Sequence, residues 1–128
     1  MTGPRTVTVH TRDHGPVTLT CPTWCTTRHA EQNGGYRIDI FHEGDETGLT
    51  LDTTRGRVYL MPTFLEQRPF TERPPGRGVF INVGLEGDFY PSDPAQLHDI
   101  AESLIRHGAQ LHALAGHLAA LLTEGSGQ

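Results

Sequence analysis

The chain of 128 residues contains no lysine; all ten of its basic side chains are arginine. With no side-chain primary amine, a Schiff-base lysine, a lysine general base and a phosphate loop ending in Lys-Ser/Thr are all excluded. Serine is nearly as scarce. Ser92, Ser103 and Ser126 stand against sixteen threonines, and none lies in a Gly-x-Ser-x-Gly context, which argues against a serine hydrolase. Long apolar runs are missing too. No stretch approaches the ~20 residues that span a bilayer, and residues 1–12 show no charged segment followed by an apolar one, so no membrane association and no signal peptide are expected. Basic excess is also lacking. A formal charge of −5 disfavours a nucleic-acid partner, which calls for a basic patch to displace counterions. The expectation is a cytoplasmic protein, residues 1–128 forming a single domain with one core.

What the sequence does have is glycine, threonine, eight histidines and two cysteines. A hydrophobic fraction of only 35% together with fifteen glycines suits many short strands joined by turns. Residues 6–10 and 17–20 alternate β-branched side chains around an Asp/Gly/Pro-containing turn and predict a hairpin. Residues 36–42 alternate as well, which predicts a strand with Tyr36, Ile38, Ile40 and His42 facing inward. Residues 48–52, 57–64 and 78–85 read as three more strands, with a turn at Thr54-Arg55-Gly56 and Pro62 marking an edge or bulge. Residues 66–77, with three prolines and three arginines, read as a loop. The period then changes. Ser92 or Asp93 offers an N-cap and Pro94 fits the first helical position, predicting a helix over about 93–122 and a disordered tail over 123–128. The expected fold is α+β, an antiparallel sheet of five or six strands with one long C-terminal helix packed on it.

The segment Cys21-Pro22-Thr23-Trp24-Cys25-Thr26-Thr27-Arg28-His29 places two thiols and an imidazole four residues apart, all ligands suited to zinc. One straight helix cannot present all three, since eight steps of ~1.5 Å would set Cys21 and His29 roughly 12 Å apart. Pro22 resolves this by disfavouring helix at Cys21, leaving it extended while Cys25 and His29 face together from one helical turn. His42, at the end of its inward face, is the expected fourth ligand; the zinc-binding segment is then 21–42. His10 and His14, both on the first hairpin, are its rivals. In a reducing compartment Cys21 and Cys25 are expected as a metal site or a pair of free thiols rather than a disulfide. Trp24 is expected as a hydrophobic lid.

The stretch Cys21-Pro22-Thr23-Trp24-Cys25 with His29, followed by His42-Glu43-Gly44, resembles the C-P-x-W-C-x3-H signature of an uncharacterised actinobacterial, streptomycete-type small-protein family. The resemblance covers about the central half of the chain. It implies a cytosolic actinobacterial protein whose Cys and His residues form one motif, and it carries no activity.

The residues therefore point to a noncatalytic, zinc-stabilised interaction or regulatory module. The alternative is a small zinc-dependent, hydrolase-like enzyme in which Cys21, Cys25 and His29 leave a fourth position open to water, with Glu31 or Glu43 as general base. His98, His107, His112 and His117 fall on the long helix without a zinc-binding pattern. Leu97, Leu104, Leu111 and Leu118 recur every seventh residue beside a stripe of Ile100 or Ala101, Gly108, Ala115 and Leu122. Facing the sheet is their first expectation. Pairing in a homodimer through the C-terminal helix is the second, with an unknown protein partner besides.

Overall fold

A computed structural model describes residues 3–126. They form antiparallel sheets and one long C-terminal helix, the α+β arrangement expected from the change of period near Ser92. The chain divides into two compact units between Ser92 and Asp93.

The first unit begins with a hairpin of β1 (Arg5–Thr11) and β2 (Gly15–Cys21), paired so that Arg5 lies opposite Cys21. Its turn is held by Thr11, whose hydroxyl donates to the Gly15 carbonyl (2.8 Å) and accepts the His14 N–H (3.0 Å). Val9 on the inner face is fully buried. A five-stranded sheet follows, made of β3 (His42–Glu43), β4 (Thr47–Thr53), β5 (Gly56–Gln67), β6 (Phe80–Leu85) and β7 (Asp88–Ser92). Strand β5 is its spine, pairing with β3 and β4 on one side and β6 on the other, with β7 beyond β6.

Two residues explain how β5 serves both neighbours. The β4–β5 register shifts between Thr47 and Leu49, beside Met61, whose φ is +56°, and Pro62, which has no N–H to give the ladder. A Cβ on Gly84 of β6 would lie 2.7 Å from Pro62 Cγ, so only glycine fits beneath the bulge.

Three expectations about strands and their connections need correction. Residues 36–42 are not one strand; a 3-10 turn at Arg37–Asp39 interrupts them. The Arg37 N–H donates to Asp13 Oδ1 (2.9 Å), and the Asp39 and Ile40 N–H groups close back on the Tyr36 and Arg37 carbonyls. The inward alternation survives only at buried Ile40 and His42, while Tyr36 and Ile38 are 47% and 39% exposed. The loop expected from residue 66 starts later, because Glu66 and Gln67 complete β5 opposite Glu43 and His42. Glu66 is buried there, accepting from Asn82 Nδ2 (3.1 Å) and Arg68 Nε (3.0 Å). Strand β7 was not expected. Glu86 and Gly87, with φ of +51° and +83°, make the tight turn that folds it onto β6.

The second unit is the helix α1, Pro94–Ser126. Asp93 and Gln96 form a reciprocal capping box: Asp93 Oδ1 accepts the Gln96 N–H and Gln96 Oε1 accepts the Asp93 N–H, each at 2.8 Å. The helix continues past residue 122 into the expected tail, whose last two residues, 127 and 128, lie outside the described residues.

Candidate metal centre

Four side chains from four different local structures converge in the first unit. Cys21 ends β2, kept extended by the proline that follows it. Cys25 closes a turn in which its N–H donates to the Pro22 carbonyl (3.1 Å). His29 is the first residue of a 3-10 helix, His29–Gln32. His42 opens β3. Cys25 and His29 thus do not share a helical turn; residues 26–28 instead run alongside β3. There the Thr26 N–H donates to the Glu43 carbonyl (2.8 Å), and Thr27 Oγ1 accepts the Glu43 N–H (2.8 Å).

All four side chains are buried, and one ligand atom from each lies within 4.8 Å of the others, so the group could hold a metal ion. Cys21 Sγ and Cys25 Sγ both stand 3.6 Å from the same atom, His29 Nε2. The nitrogen has one lone pair, for the Cys25 thiol or a metal, and the Cys21 thiol also reaches the Pro22 carbonyl at 3.8 Å. The spacing suits a shared cation: ligands ~2.3 Å (sulfur) and ~2.0–2.1 Å (nitrogen) from one tetrahedral zinc lie roughly 3.5–3.6 Å apart.

The surrounding groups prepare the donors. Gln32 Nε2 donates to the Phe41 carbonyl (3.1 Å), leaving Oε1 to accept from His29 Nδ1 (3.2 Å). That bond puts the His29 proton on Nδ1 and leaves Nε2 free toward the thiols. Burial and the neighbouring His29 push the His42 pKa down to about 4, so its ring is neutral near pH 7. His42 Nδ1 is the one buried side-chain nitrogen or oxygen among the described residues with no hydrogen-bond partner, an atom that a cation would satisfy. The two thiols are driven apart. Burial, then the neighbouring Cys25, raise Cys21; for Cys25 burial is outweighed by hydrogen bonds from Thr27, Cys21 and the Glu43 backbone, and its pKa falls. Trp24 stands edge-on to His42, ring centroids 6.3 Å apart.

The rival ligands are elsewhere. His10 is exposed on β1, and His14 pairs through Nδ1 with Asp13 at 2.9 Å. Glu31 is exposed, while burial, then the Glu66 carboxyl facing it across the ladder, raise the pKa of Glu43. Sequence reasoning missed Gln32 and Thr27, whose roles depend on tertiary placement and leave no mark in spacing.

The cluster supplies much of the buried core. Among the described residues the buried apolar side chains are Val9, Cys21, Cys25, Ile40 and Val83, so two of five belong to it. No described helix is long and apolar enough to cross a membrane. The sequence profile of one family, described as a domain of unknown function (DUF6907), matches residues 6–120. No curated protein and no solved structure matches the chain.

Proposed function

The chain belongs to the DUF6907 family of domains of unknown function, and we propose from the site itself that it is a noncatalytic interaction or regulatory module. Its fold is held by a structural zinc ion on Cys21, Cys25, His29 and His42. The supporting observation is the pair of thiols at 3.6 Å from one imidazole nitrogen, a spacing that suits ligands of a common ion. Two thiolates and two imidazoles favour zinc over the hard cations that seek oxygen. With four protein ligands the zinc has no position left for substrate, and it supplies folding free energy by tying β2 to β3. The proposal extends to one domain over residues 1–128, an actinobacterial source, a cytoplasmic location, and protein partners, a second copy of this chain through α1 among them.

Metal analysis of protein purified without added metal tests the reading. The expected result is one zinc per chain, lost in Cys25→Ser together with thermal stability. Protein that carries no stoichiometric metal, and whose stability is unchanged in Cys25→Ser, would overturn it.

A further inference from the structure

Helix α1 repeats its apolar residues in heptads. Leu97, Leu104, Leu111 and Leu118 occupy one core column, and Ile100, His107, Leu114 and Leu121, each three residues on, occupy the other. Leu97 and Ile100 are half-buried, but Leu104, Leu111, Leu114, Leu118 and Leu121 are 45–60% exposed. Residues 107–123 contain no Asp, Glu or Arg. A helix face of this kind belongs in an interface, because an isolated helix in water is normally charged on its open side.

We infer that α1 pairs with α1 of a second copy of this chain as an antiparallel two-helix seam running from Leu104 to Leu121. Three observations select this occupant and this direction. The first is self-complementarity. Reversing the helix sets Leu104 against Leu121 of the second copy, His107 against Leu118 and Leu111 against Leu114, so every layer of the seam is filled and the interface is isologous about a two-fold axis. A parallel pair would instead press His107 against its own copy, facing two imidazoles in a dry layer.

The second observation is Gly108. Glycine is the poorest helix former after proline, yet a Cβ at this mid-helix position would meet nothing within 4 Å in its own chain. In the antiparallel pair Gly108 flanks the seam opposite Ala115 of the second copy, and two small residues there let the backbones approach closely. On the other flank Gln110 meets His117, polar against polar. The third is area. Six side chains at roughly 100 Å² each bury on the order of 600 Å² per chain, which reaches the lower bound of stable protein–protein interfaces at about 1,200 Å² in total.

The test uses the full chain. Sedimentation equilibrium is expected to show a dimer for the wild type and a monomer for Leu111→Asp, with Trp24 emission unchanged to certify the fold of the first unit. Gly108→Leu should weaken dimerisation by at least roughly tenfold. Gly116→Ala, on the outer face of the seam, should leave it unaltered. For direction, chains carrying Leu104→Cys are mixed with chains carrying Leu121→Cys and oxidised, wild type serving as the control for Cys21 and Cys25. A covalent heterodimer from the mixture, with neither variant coupling to itself, supports the antiparallel seam, because like positions are then about 25 Å apart along the axis. Self-coupling of Leu121→Cys overturns the direction. A wild type that stays monomeric at about 100 µM overturns the pairing itself. Neither outcome touches the metal content, so this inference can fail while the zinc reading stands, and the reverse.

Discussion

Gln32 illustrates how much one carboxamide can decide. By donating to Phe41 it has only its oxygen left for His29, which fixes the tautomer that aims Nε2 at both thiols. Gln32→Ala is expected to keep the fold but weaken zinc about 10–100-fold, read by competition with a chelator of known affinity. His42 makes a second prediction for the metal-free chain. Its folded pKa, near 4, lies below the unfolded value of 6.5, so the unfolded chain binds the extra proton between them. Its contribution to stability is therefore fully present above about pH 6.5 and lost as pH falls toward 4. Denaturant melts of metal-free protein across that window, compared with His42→Ala, should show the slope only in the wild type. At this scale the four clustered residues were legible in the sequence because ligand chemistry is carried by residue type and spacing. Their helpers were not, since glutamine and threonine are common and only the folded chain says which ones turn inward.

Among the elements, strands with clean alternation and a glycine turn could be read directly, as the β1–β2 and β4–β5 hairpins show. Residues 36–42 carried the same alternation and still bent, because Asp13, twenty-four positions away, supplies an acceptor to the Arg37 N–H and nucleates a turn there. Strand β7 was hidden for the opposite reason. Its turn residue Glu86 adopts a left-handed conformation that glutamate seldom takes, so only Gly87 announced the reversal. The bulge in β5 gives a sharp test: Gly84→Ala drives a methyl into Pro62 and should cost about 1–3 kcal/mol in chemical denaturation. At the helix, Asp93→Ala removes one half of the capping box and should cost about 1 kcal/mol, visible as reduced helical ellipticity in thermal melts.

For the molecule as a whole, the first unit has little apolar interior of its own. Cys21 and Cys25 count among its few buried apolar residues, so under the proposed zinc reading removal of the ion is expected to leave thiols and imidazoles without their shared partner at the centre of the core. Zinc at a thousandfold excess over its Kd stabilises by about 4 kcal/mol, on the order of 15–30 °C in Tm for a unit of this size. Calorimetry with and without a strong chelator at neutral pH should show a downward shift of that order, reversed by added zinc. An unchanged Tm would mean that the cluster is held by protein contacts alone. The α+β class and the long helix were legible at this scale, because the switch from period two to period 3.6 is written in the order of apolar residues. The division of the chain between Ser92 and Asp93 was not, because it depends on contacts that periodicity does not record.

Trp24 gives the molecule an optical gauge of its own. It is the only indole in the chain, and it stands 6.3 Å from the ring of His42. Its emission therefore reports on one place alone. Cobalt(II) seated among the four ligands would absorb in the visible and quench that emission through its open d-shell, whereas zinc, with a filled shell, would leave the indole bright. Titrating one ion against the other would read occupancy of the centre in real time, with no label attached.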